Sequence, residues 1–164
     1  KERFVPMVVN GTKPHTVRNR RKYPAKVGDP VSLFYGMRTK WCRKLREEKC
    51  VKTGSIFIHP EGRVYLFDGL LAAPKYSTSV LSQIADLIEI ENIGYTDIDG
   101  ESVGCRLLSV AETNRFAWLD GFRPEGSTLE EPGEAFELMK RYWSANDELP
   151  FLGDVIYWSL DYEK

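Results

Sequence analysis

Turn residues punctuate this chain at short intervals, and that spacing restricts it to short elements. Asn10-Gly11, Gly28-Asp29, Pro60-Glu61-Gly62 and Asp99-Gly100 each interrupt an apolar or β-branched run. The segment "FVPMVVNG" reads as a helical turn or two with a glycine stop. "HTVRN" reads as a strand, because Thr16 and Val17 are β-branched and Pro14 disfavours a helix just before them. "KVGDPVSLFYG" is a turn followed by a strand in which Val31, Leu33 and Tyr35 alternate with Ser32 and Phe34. "SIFIHPEGRVYLF" and "YTDIDGES" read as hairpins turning at Pro60-Glu61-Gly62 and Asp99-Gly100.

Two later segments carry helix signals. "SVAETNRFAWLDG" starts at a Ser109 cap and stops at Gly121. "STLEEPGEAFELMKRYWSAN" offers Ser127 or Thr128 as its cap, acidic residues in its first turn, and Lys140 and Arg141 near its end. From Ala72 to Asn92 a helical pattern in "STSVLSQIADLI" grades into a strand-like "IEIEN", and "DVIYWSLDY" is a closing strand. The expected class is α+β: a small, partly closed β-barrel of about five or six strands, flanked by helices and including the closing strand.

At 164 residues and 42% hydrophobic, the chain suits one domain with a sizeable core. No apolar run approaches the ~20 residues of a membrane span, and the start lacks a signal peptide's apolar stretch, so a cytoplasmic protein without membrane contact is expected. Cys42, Cys50 and Cys105 form no CxxC pair, and His15 and His59 offer poor zinc spacing. Reduced thiols and no structural metal follow.

The near-zero net charge hides an asymmetry. Residues 1–50 hold 14 Lys and Arg against 4 Asp and Glu, a net of +10, and the rest of the chain has a net of -11. Either the surface is bipolar and its basic part meets a polyanion, or the two parts interleave in the fold and neutralise each other.

The basic part opens with "GTKPHTVRNRR". In an extended 15–19 segment Thr16 and Arg18 share one face, and His15 and Val17 share the other. Gly11 and Pro14 can bend the chain so that Lys13 returns over Thr16. A lysine beside a hydroxyl is a nucleophile–base arrangement if burial lowers the amine's pKa. The plainer alternative has Thr16 packed at a barrel rim and Lys13 in solvent.

"GTKPHTVR" resembles the GxKxxTxR signature of the ASCH domain family, which has a PUA-like β-barrel fold. "VGDPVSLF", "FAWLDGF", "MKRYW" and "DVIYWSLDY" are similar to later segments of that family, and "LFYGMRTKWCRKL" resembles phage and bacterial members. The resemblance implies a single domain over 1–164 with an insertion at about 51–101. It also implies RNA or nucleoside chemistry: some family members are amidohydrolases that deacetylate N4-acetylcytidine, and a ribonuclease activity is described for others. Carried over, the working residues are Lys13, Thr16 and Asp120, the last being one methylene shorter than the family's Glu. Thr16 would attack the amide carbonyl, Lys13 would take its proton, and Asp120 would serve the departing nitrogen or orient Lys13. A backbone N–H or Arg18 would stabilise the oxyanion, and Arg18 could equally hold a phosphate. No cofactor enters this scheme.

"GMRTKWCRKLREEK" places Arg38, Lys40 and Arg43 around Trp41, a composition suited to backbone contact plus base stacking. Its alternative is a charged helix with Trp41 and Leu45 packed inward. Arg18, Arg20, Arg21, Arg38, Lys40, Trp41 and Arg43 are therefore the expected nucleic-acid or substrate contacts. Trp118, Trp143 and Trp158 read as core, Cys42 as a small packed hydrophobe, and Glu130, Glu131, Glu134 and Glu137 as a solvated helix face. An amidohydrolase on a modified nucleoside leads. A non-catalytic reader of single-stranded RNA or modified bases comes second. A ribonuclease comes last, because no histidine pair is available.

Overall fold

The last strand of the chain organises the molecule. The computed structural model describes residues 2–72, 77–87, 94–145 and 149–160. In it β9 (Phe151–Tyr157) runs between β1 (His15–Asn19) and β4 (Lys52–Ile58), antiparallel to both. The sheet continues through β5 (Val64–Phe67) to β8 (Cys105–Leu107), giving the order β1-β9-β4-β5-β8. Two two-stranded ribbons complete the strands: β2 (Pro30–Tyr35) with β3 (Arg43–Lys49), and β6 (Tyr95–Thr96) with β7 (Ser102–Val103). The protein is α+β, with mostly antiparallel sheets and a few helices.

Every residue of β9 is buried, as a strand covered on both faces requires. Alternation sends Phe151, Val155 and Tyr157 into one core with Val17, Ile56 and Ile58. That core is roofed by α3 (Val110–Leu119) and α4 (Ala135–Ser144), through Phe116, Ala117, Phe136 and Met139. On the other face Leu152 joins Phe57, Tyr65 and Leu81 of α2 (Thr78–Leu87), while Ile156 and the following Trp158 meet Val8, Val31 and Leu33. Val8 belongs to α1 (Val5–Val9), which follows a 3-10 turn at Glu2–Phe4. Gly153 has no room for a side chain beside β1: an added Cβ would stand 2.5 Å from the Arg18 carbonyl oxygen.

The expected strand over 15–19, the strand after Gly28-Asp29 and both hairpins form as read. The stretch 51–101 supplies the inner strands β4 and β5, helix α2 and strand β6, whose partner β7 follows directly. The "IEIEN" segment lies outside the described residues.

Three expectations are corrected. The segment after Gly36 is neither a charged helix nor a packed one: Gly36 and Arg38 take left-handed backbone (φ 62° and 68°), and Arg43–Lys49 pairs with β2 as an exposed strand. Cys42 is exposed in that turn, so it does not pack as a small hydrophobe. Helix α4 begins at Ala135, not near Ser127, because Gly133 has φ 59° after Pro132. Ser127 and Thr128 cap other turns, with the Ser127 hydroxyl donating to the Pro124 carbonyl and Thr128 Oγ1 accepting from Glu131 N–H. Of the acidic run only Glu137 is helical. Trp143 and Trp158 are buried, but Trp118 is half-buried, with its indole N–H on Ser127 and Arg123 stacked 3.7 Å over its ring. Among the described residues no helix is long and apolar enough to cross a membrane.

Candidate functional site

The site lies beside β1, where the end of α3 and the last turn of α4 meet the β2–β3 turn. His15 and Val17 point into the core, so Thr16 and Arg18 point the other way, as strand alternation demands. A pocket of about 670 Å³ opens there. Its walls include Lys13, Thr16, Arg18, Arg20, Arg21, Arg38 and Asp120. These are seven of the ten residues named from the sequence. Lys40, Trp41 and Arg43 are not in its wall: they sit in the β2–β3 turn and the start of β3, with Lys40 over Trp41 and Arg43 over Tyr35.

Asp120 arrives by a helix stop. Ser109 and Glu112 form a reciprocal capping box that fixes the start of α3. The helix ends with Asp120 as its C-cap, and Gly121 then adopts φ 98°, where an added Cβ would stand 2.6 Å from Phe4. This left-handed step turns Phe122 into the core and leaves the Asp120 carboxylate over the edge strand β1. There Asp120 Oδ1 accepts from the Val17 N–H at 3.3 Å, an outward-facing edge donor.

Lys13 comes from the Gly11–Pro14 loop, which Arg123 ties down. The Arg123 guanidinium donates to the Thr12 carbonyl at 2.9 Å and to Thr12 Oγ1 at 3.2 Å. The Lys13 ammonium donates to both the Asp120 carboxylate and the Asp120 backbone carbonyl, and lies 5.3 Å from the Phe4 ring centroid. Lys13 and Asp120 are both buried. Lys13 does not hydrogen-bond Thr16, whose hydroxyl has no hydrogen-bond partner among the described residues. The expectation that Lys13 stays in solvent is thus excluded, and the lysine faces a carboxylate first.

Burial controls the protonation of this corner. It pushes the Lys13 amine below its ordinary value, a shift that Asp120 opposes and that Arg18 and Arg123 reinforce. It pushes the Asp120 carboxyl up, against the pull of Lys13 and the Val17 N–H. Beneath them His15 stacks on Phe116 at 4.4 Å, and burial first, then the Lys13 charge, hold it well below the usual histidine range. It is neutral at physiological pH.

Several wall residues had no local sequence signal. Phe4, Phe122 and Tyr142 form an aromatic end to the pocket, with Phe4 edge-on to Phe122 at 5.6 Å and Tyr142 tilted against it at 5.8 Å. They come from three distant segments, so only packing gathers them. Among the described residues no cluster of three or more His, Cys, Asp or Glu side chains could hold a metal ion. The chain matches no family model, no curated protein and no solved structure.

Proposed function

We propose that the chain is an amidohydrolase that removes the acyl group from N4-acetylcytidine or a related modified nucleoside, on a PUA-like barrel framework of the ASCH type. One observation carries the reading: Lys13, Thr16 and Asp120, drawn from a loop, a strand and a helix end, converge on the wall of one pocket. The framework is supported by the antiparallel sheet and the β2–β3 ribbon, which share the core of Val8, Leu33, Ile156 and Trp158.

In this scheme Thr16 Oγ attacks the amide carbonyl and its proton passes to neutral Lys13. The C–N bond breaks as the cytosine N4 leaves with a proton supplied through Lys13 or Asp120. Water then hydrolyses the acyl ester on Thr16, releasing the carboxylic acid and restoring the hydroxyl. Arg18 faces the oxyanion. Burial lowers the lysine's proton affinity and raises the aspartate's, and both shifts favour a pair that can pass one proton back and forth.

A binding role has one observation in its favour: the Lys13 amine is bonded to Asp120 and not to Thr16. The deciding measurement is conversion of N4-acetylcytidine to cytidine, followed by chromatography. Thr16→Val, which keeps the shape and removes the hydroxyl, should lose roughly 10²–10⁴-fold or more in kcat, while Thr16→Ser retains turnover. No turnover by the unaltered chain on any N4-acylated cytidine gives first place to a modified-base or single-stranded RNA reader. Turnover that survives Thr16→Val removes Thr16 from the chemistry.

A further inference from the structure

The pocket wall carries more positive charge than a neutral nucleoside can use. It contains Lys13, Arg18, Arg20, Arg21 and Arg38 against a single carboxylate, Asp120. Lys13 is matched by Asp120. Arg20 is occupied as well, donating to the Leu71 carbonyl and standing 3.9 Å from Asp154. Arg18, Arg21 and Arg38 remain, and among the described residues none has a carboxylate within ion-pair distance of its guanidinium.

Arg21 and Arg38 are exposed, yet both line the pocket that the half-buried Arg18 lines. Arg18 is half-buried on β1, on the Thr16 face, and Arg21 follows just beyond the strand end. Burial and the neighbouring Arg21 work against the Arg18 charge, and Asp120 supports it without cancelling them, so a further anion would be favoured there. Arg38 lines the same pocket from a different segment, on a turn fixed by Thr39, whose N–H and hydroxyl both donate to the Gly36 carbonyl at 2.9 and 2.7 Å. Arg38 itself holds φ 68°, a backbone state that a long side chain adopts only under constraint. Three arginines from two segments thus line one cavity.

We propose that the ligand is a phosphate-bearing nucleotide, its phosphate held between Arg18, Arg21 and Arg38 while its base reaches Thr16 and Lys13. This rests on the nucleoside reading above and adds an anion to it. A phosphate brings about −1.5 to −2 charges when terminal and offers the acceptor oxygens that guanidinium forks bind in pairs. The phosphate can belong to a free nucleotide or to one residue of a single-stranded nucleic acid. In the second case the next base would meet the exposed Trp41, three residues past Arg38.

The experiment is calorimetric titration of the whole chain with inorganic phosphate, cytidine, cytidine 5′-monophosphate and a cytidine-centred RNA trinucleotide. The monophosphate should bind about tenfold or more tightly than cytidine, with the advantage shrinking as salt rises. Arg21→Ala/Arg38→Ala should bring that ratio close to one. Arg106→Ala/Arg115→Ala, which removes two arginines elsewhere around α3 and β8, should leave it in place. Circular dichroism checks that both variants fold. A trinucleotide that binds more tightly than the monophosphate identifies nucleic acid as the source, and one that binds more weakly identifies the free nucleotide. Equal affinity for cytidine and its monophosphate, or a ratio that survives in Arg21→Ala/Arg38→Ala, overturns the inference while leaving the nucleoside reading intact. Arginine-dependent binding of inorganic phosphate with no binding of cytidine removes the base instead and leaves a bare anion site. Binding of none of the probes defeats both.

Discussion

Lys13 and the β2–β3 ribbon belong to the same basic opening of the chain, yet the fold treats their charges in opposite ways. Lys13 is taken out of water and matched one-to-one with Asp120, 107 residues away in sequence. The ribbon keeps its cations at the surface, where Lys44 meets Glu47, Arg46 meets Glu48, and Lys40 lies over an exposed Trp41. A charge count weighs these groups equally, but their energetics differ severalfold. Exposed pairs contribute about 0–1 kcal/mol each, whereas removing one partner of a buried pair costs about 3–5 kcal/mol. The first group shapes the fold and its chemistry. The second stays solvated and contributes little to the fold.

The sharpest way to break this comparison is to unbalance the buried corner. Lys13→Met leaves an uncompensated carboxylate and should lower unfolding free energy by about 3–5 kcal/mol in urea titrations. Lys13→Met/Asp120→Asn, with no charge left to strand, should recover part of that loss. Lys44→Ala on the ribbon should change stability by less than about 1 kcal/mol. A Lys13→Met effect as small as that of Lys44→Ala would show the corner to be solvated in practice.

The turn that delivers Asp120 comes next in size. Gly121→Ala forces a left-handed backbone on a residue with a side chain and drives its Cβ towards Phe4, so about 1–3 kcal/mol should be lost. Since Phe4 also lines the pocket, the same variant should weaken cytidine binding. Unchanged stability would mean that the α3 end can rebuild without this step.

These two predictions concern features that the sequence exposed to different degrees. The alternation in "HTVRN" placed Thr16 and Arg18 on one face and His15 and Val17 on the other, because a strand's period is intrinsic to its backbone. The Ser109 cap and Gly121 stop bounded α3 for the same local reason. The Lys13–Asp120 contact was legible only through the resemblance, as Asp120 orienting Lys13, whereas the expected return of Lys13 over Thr16 brings no hydrogen bond between them. The ribbon was misread because the charges of Arg43–Lys49 fit a solvated helix as well as a solvated strand. Pairing with β2 decided the matter, and nothing inside the segment records it. The start of α4 was placed too early because acidic residues before Pro132 imitate a helix's first turn, while Gly133 prevents it. The aromatic end of the pocket had no signal at all, since Phe4, Phe122 and Tyr142 meet only through tertiary packing.

A smaller effect is expected from His15, the neutral ring under the buried corner. Its folded pKa lies well below 6.5, so in the window beneath 6.5 the unfolded chain binds a proton that the folded chain refuses. Its contribution is therefore complete above about pH 6.5 and is lost as pH falls, by at most ~1.4 kcal/mol per pH unit. Asp120 acts with the opposite sign: its raised pKa makes the folded chain hold a proton the unfolded chain has released above pH 3.8, so stability falls as pH rises through that range. Comparing wild type with His15→Phe, which preserves stacking on Phe116, separates the two. Thermal melts from pH 7 to 5 should show a steeper loss in the wild type. Parallel curves would mean that His15 charges without cost, contrary to its burial.

The smallest stability effect belongs to the ribbon, and it sharpens the comparison from the other side. Trp41 is 66% exposed, and its ring meets the Lys40 ammonium 4.9 Å from the centroid. Almost no apolar area is lost from a core when it is removed, and an exposed cation–π contact contributes only about 0.5–1 kcal/mol. Trp41→Ala should therefore shift unfolding free energy by no more than about 0.5–1 kcal/mol, against several for Lys13→Met. The same variant should be felt in binding if the ribbon meets single-stranded RNA. Loss of one stacked base costs about 1–3 kcal/mol, or roughly 5–150-fold in Kd, with the salt dependence unchanged because no charge is removed. Melting and fluorescence-anisotropy titrations on one preparation give both quantities. A variant that melts like the wild type and binds RNA equally well would confine recognition to the pocket, whereas a large fall in stability would mean that the tryptophan packs in solution after all.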